Sequence, residues 1–109
     1  MNKKDSPVER WPGYIVLPAY LTFPLLSRWQ KSIESAKQFE DSKDYLAFYE
    51  AILPTALDMV KEWHIEGLPE KVTLEDFPAS TDLTSFVIDS VAGLYAETNS
   101  VDPKSLEKS

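Results

Sequence analysis

The chain has 109 residues, 43% apolar and 12% aromatic, with no cysteine; this is the length of one domain with material for a core, and it excludes disulfide scaffolds and thiolate metal centres. Eighteen acidic side chains against eleven basic ones give a net charge of −7, which opposes nucleic acid and anionic lipid as partners. No run approaches the ~18 apolar residues of a bilayer span, and the start, MNKKDSPVERWP, lacks the apolar stretch of a secretory signal, so a soluble cytoplasmic protein is expected.

Residues 1–12 are polar, charged and punctuated by Pro7 and Pro12, the composition of a mobile arm. GYIVLPAYLT, from Gly13 to Thr22, mixes β-branched and aromatic residues with Pro18. A proline donates no ladder hydrogen bond, so this stretch reads as an edge strand or extended arm and not as a central strand. Thr22 then caps a helix with Pro24 in its first turn. Its apolar residues Leu26, Trp29, Ile33 and Ala36 step by three and four, up to the polar link EDSKD.

Ser42 is a good cap for a second helix, in which Tyr45, Tyr49, Ile52, Ala56, Val60 and Trp63 repeat at helical spacing while Leu46, Leu53 and Leu57 widen the stripe. Pro54 falls inside it and predicts a kink or break near Ile52 to Leu53, because it removes one backbone hydrogen bond. Gly67 and Pro69 stop the pattern. Thr73 caps a single turn, TLEDF, that ends at Pro78. Ser80, Thr81 or Asp82 caps a last helix carrying Leu83, Phe86, Val87, Val91, Leu94 and Tyr95. The tail from 99 to 109 loses periodicity and is expected to fray. The predicted fold is mainly α, a single-domain bundle of three to four helices over residues 13–98 with an extended N-terminal arm or edge strand.

The densest chemistry is in KEWHIEGLPEKVTLEDFP, Lys61 to Pro78, which holds the single histidine. Were Trp63 to Leu68 a strand, Glu62, His64 and Glu66 would share one face. One imidazole and two carboxylates still fall short of the usual zinc and non-haem iron sets, so no metal site is expected. His64-Ile65-Glu66 matches half of the zinc deaminase signature, whose other half needs cysteine. No G-x-S-x-G turn marks a serine nucleophile, Glu75 and Asp76 come with no sign of the buried pair that glycosidases use, and three glycines make no phosphate loop. No enzyme, catalytic residue or cofactor is therefore expected. The simpler reading is a structural corner that runs to Pro78: Trp63 and Ile65 plug the core, Gly67 supplies an unusual φ, and Leu68 with Phe77 anchors the connection to the last helix.

GYIVLPAYLTFPLLSRW and KEWHIEGLPEKVTLEDFP, followed by a short closing helix, resemble the small tail assembly chaperones of long-tailed bacteriophages. In these a glycine-aromatic opening leads to a helix, a later helix ends in a Trp-x-Ile/Leu-x-Gly corner, and a Thr-x-x-x-x-Pro step precedes the last helix. Trp63, Ile65, Gly67, Thr73 and Pro78 stand at the matching places, and the resemblance spans Gly13 to Tyr95. It implies a cytoplasmic, non-enzymatic helper that holds the tape measure protein while the tail tube is built around it and is absent from the finished particle. It also implies two lengths made by frameshifting, of which DPKSLEKS would end the shorter.

Such a helper needs an apolar surface for helical segments and an acidic exterior. The surplus aromatics Trp11, Tyr14, Tyr20, Phe23, Phe39 and Phe48 are the candidates for partner binding, against the ordinary fate of large aromatics, which is to complete the core. Self-association is also open. Two other classes compete: an acidic inhibitor occupying a basic surface, and a small head or neck protein of the virion.

Overall fold

The computed structural model describes residues 2–39 and 45–99, and these form a three-stranded antiparallel sheet with three helices. The elements are β1 (Asn2–Asp5), β2 (Gly13–Leu17), α1 (Phe23–Lys37), α2 (Tyr45–Met59), β3 (Glu62–Ile65) and α3 (Thr81–Asn99). The fold is α+β, which corrects the mainly helical bundle expected from periodicity. The EDSKD link with its Ser42 cap and the tail beyond Asn99 lie outside the described residues.

The sheet order is β1-β2-β3, so the segment expected at an edge or as an arm is the central strand. Pro18 does not prevent this because it falls one residue after the strand ends, where no ladder N–H is required. Its carbonyl instead accepts from the Asn2 side chain at 3.1 Å. Residues 2–5, expected within a mobile arm, are β1: Lys3 pairs with Val16 and Asp5 with Tyr14. With Lys3 and Lys4 on a short outer strand, the free edge carries charge, a common guard against edge-to-edge pairing.

β3 occupies a stretch whose Trp63 the helical spacing assigns to the second helix. α2 closes at Met59, and the next amide but one, that of Lys61, donates to the Val16 carbonyl at 2.7 Å. Beyond it Glu62, Trp63, His64 and Ile65 alternate exposed and buried, the period of a half-buried strand. The four- and three-residue steps through Val60 and Trp63 are coincidental. The helix does run through Pro54 as one element, so of the kink or break expected near Ile52 to Leu53 the break does not occur. The Glu50 carbonyl, which loses its donor to the proline, belongs to an exposed residue.

Two glycines make the sheet end possible. Gly13 has φ +131°, and a Cβ built there would lie 1.9 Å from the backbone oxygen of His64. Gly67 has φ +88° just after β3 and sits beside the Trp11 ring. Both are conformations that L side chains resist. Backbone bonds from Ser6 N to Gly13 O and from Glu66 N to Pro12 O, each 2.9 Å, carry the chain into and out of this end.

One face of the sheet, with Ile15, Leu17, Trp63 and Ile65, joins a single core shared with Trp29 and Ala36 of α1, Ile52, Ala56 and Leu57 of α2, and Leu83, Val87, Val91 and Leu94 of α3. α1 and α2 run antiparallel: Arg28 reaches Asp58 at 2.6 Å, and one turn on Ser32 bonds to Thr55. Ser80 is the cap of α3, its hydroxyl accepting from the Leu83 amide at 3.2 Å, which resolves the three candidates. At the far end the Leu21 amide donates to the Thr98 hydroxyl at 3.1 Å, tying α3 to the entry of α1.

Substituting Gly13 by alanine forces a Cβ into a carbonyl oxygen at a φ that alanine rarely adopts, and is expected to lower stability by about 3 kcal/mol in urea denaturation. Gly93, mid-helix with nothing within 4 Å of the place a Cβ would take, is the control. Its change to alanine is expected to raise stability by ~0.5–1 kcal/mol.

Candidate functional site

The outward face of the sheet gathers the polar residues that the sequence singles out. Register places Asp5, Tyr14 and His64 in one row and Lys3, Val16 and Glu62 in the next. His64 stacks on Tyr14 with ring centroids 4.6 Å apart, and its Nε2 lies 3.1 Å from Glu62 Oε1. The Lys3 ammonium stands 4.3 Å from the Tyr14 ring centroid and pairs loosely with Asp5 at 3.6 Å. Glu66 lies beyond the strand end and is not part of this ladder.

The chemistry open to this face is limited by its exposure. His64 and Glu62 are about half exposed, so water screens their attraction and such pairs contribute little. Glu62 is the hydrogen-bond partner of the imidazole among the described residues. No cluster of three or more metal-ligating side chains occurs among the described residues. The row acts as a cross-strand side-chain ladder that fixes register.

A different feature stands out as an exposed apolar surface. Between the first half of α2 and the connection into α3 runs a groove of about 270 Å³ lined mostly by apolar atoms. Leu53 and Phe77 form its buried floor, and Tyr45, Leu46 and Leu74 stand on its rim with 71%, 71% and 42% of their surface exposed. The floor is held from behind: Phe77 meets the buried Trp63 ring edge-to-face at 6.3 Å. The wall is held by the Thr73 turn, where the Thr73 hydroxyl donates to Asp76 at 3.0 Å and the Asp76 amide donates back to the Thr73 carbonyl.

The six aromatics singled out for partner binding divide. Tyr20 and Phe23 are exposed, at 65% and 87%, and lie around the entry to α1. Trp11 and Phe48 pack against the core. Tyr14 is half-buried in the His64 stack, and Phe39 is half-buried just past α1. The structure does not bring the six together. Of the corner residues, Trp63 and Ile65 are buried, Gly67 has its positive φ, and Pro78 lines the groove.

Sequence reasoning misses Tyr45, Leu46 and Leu74 as surface residues. Spacing counts Tyr45 and Leu46 in the α2 stripe, yet the buried residues of that helix begin at Ile52. The stripe outruns the surface that covers it. That excess of apolar length at the start of α2 is the signal that could have found them.

Compared with family models, curated proteins and solved structures, the chain matches none. No helix among the described residues is long and apolar enough to cross a membrane.

Substitution separates the two sides of β3. His64→Ala is expected to lower stability by only about 1 kcal/mol, the worth of an exposed aromatic stack and a surface pair. Trp63→Ala, one residue away on the core face, is expected to cost about 3–5 kcal/mol. Chemical denaturation of both variants checks the contrast.

Proposed function

We propose that this chain is a non-enzymatic polypeptide-binding module of the tail assembly chaperone kind, holding a tape measure protein in the cytoplasm of the host until the tail tube has formed around it. One observation carries the reading: large apolar side chains stand exposed around a single groove, at Tyr45, Leu46 and Leu74. Water-exposed apolar clusters of this kind mark surfaces that are covered by something else.

Two further features support it. Trp63 of the corner, which meets the floor residue Phe77, and the Thr73 to Pro78 step, which forms a wall, both belong to the motifs that carry the resemblance to these chaperones. The acidic balance of the chain also suits a helper that keeps an aggregation-prone helical protein dispersed.

Co-expression with a tape measure protein from the same genome tests the proposal. The tape measure protein is expected to shift from the insoluble to the soluble fraction and to co-purify with a tagged copy of this chain. No gain in solubility and no co-purification would overturn the reading, and recovery of the chain in purified virions would favour a structural component instead.

A further inference from the structure

We infer that the groove between α2 and the 74–79 connection receives one amphipathic helix of the partner, with basic residues flanking its apolar stripe. The inference rests on the polypeptide-binding reading and names the segment that would be bound.

Size gives the first argument. At about 270 Å³ the groove is smaller than the ~300–1,000 Å³ of ordinary small-molecule pockets. It accommodates side chains projecting from a larger body. Shape gives the second. Tyr45, Tyr49 and Leu53 recur every four residues and make a ridge along α2, about 12 Å long at the helical rise of ~1.5 Å per residue. A ridge two turns long matches two turns of a facing helix, which offers anchors at the same spacing. No strand among the described residues borders the groove, since its lining comes from α2, the connection and the first turn of α3. A partner cannot join it by extending the sheet.

Charge gives the third argument and fixes the partner's chemistry. Glu50 lines the groove, and no Lys or Arg among the described residues does. Exposed Glu75 and Asp76 follow Leu74 on one wall. From His64 to Asp82 the chain sets five acids against one lysine. An apolar stripe with Glu50 in its lining and Glu75 and Asp76 next to Leu74 is complementary to an apolar stripe flanked by Lys or Arg.

The test uses a fluorescent model peptide of about 18 residues, long enough to form an amphipathic helix on binding, with a Leu stripe flanked by Lys. A second peptide has the same stripe flanked by Glu. Anisotropy titration of the intact protein is expected to show the Lys peptide binding about ten-fold or more tighter than the Glu peptide, with affinity falling several-fold between about 50 and 500 mM salt. The double variant Leu46→Ser, Leu74→Ser alters two exposed rim residues and leaves charge unchanged. It is expected to weaken the Lys peptide about ten-fold, while Phe23→Ser, on the other apolar surface, leaves it unaltered. Thermal melts confirm that both variants fold.

Equal binding of the two peptides, or undiminished binding by the double variant, would overturn the inference. The two proposals fail separately. Tape measure capture that survives the double variant removes the groove assignment and leaves the chaperone reading standing. Groove-dependent binding of the Lys peptide without capture of the tape measure protein does the reverse.

Discussion

The close approach of Gly13 to β3 is the constraint on which the rest depends. With a side chain at that position the His64 carbonyl could not come so near, and the pairing of Gly13 with Ile65 would have to slip. A slip of one residue exchanges the faces of a strand. Trp63 and Ile65 would then face water and His64 and Glu62 the core, a burial of charge that the fold could not sustain. The register thus fixes Trp63 beneath the helices, Trp63 fixes Phe77 by its edge-to-face contact, and Phe77 is the floor of the apolar groove. A backbone contact at one end of the sheet sets the surface at the other side of the core.

The helices are legible because their signals are local. Steps of three and four, Pro24 in a first turn and a capping residue before Leu83 involve neighbours in the chain, and α1 and α3 stand where these place them. The sheet is not legible in this way. NKKD has no apolar residue and becomes a strand only because β2 offers it a partner, which no local pattern records. β2 carries buried side chains on both faces, Ile15, Val16 and Leu17 in succession, so the alternation that announces a half-buried strand is missing. Pro18 reads as an interior proline, whereas it stands just outside the strand.

The same division runs through the site. Chemical type is written in each residue, and the limit on what one imidazole and its carboxylate neighbours can do follows from the letters alone. Exposure is a property of the assembled surface. Phe48 and Phe23 look alike as letters, yet one packs on the core and the other stands 87% in water. What separates them is which neighbouring element covers them, and for Tyr45 and Leu46 no described element does.

Apolar exposure and acidic charge coincide in this chain for a reason that follows from the groove. An uncovered apolar cluster invites pairing of two copies, because burying it against itself removes the same area from water as burying it against a partner. Glu50 in the lining of that cluster, with Glu75 and Asp76 next to Leu74, changes the balance. Two acidic rims brought face to face repel, and the repulsion grows as water leaves the contact. A basic helix meets the same rim with attraction. The carboxylates would discriminate between partners that the apolar side chains alone could not tell apart.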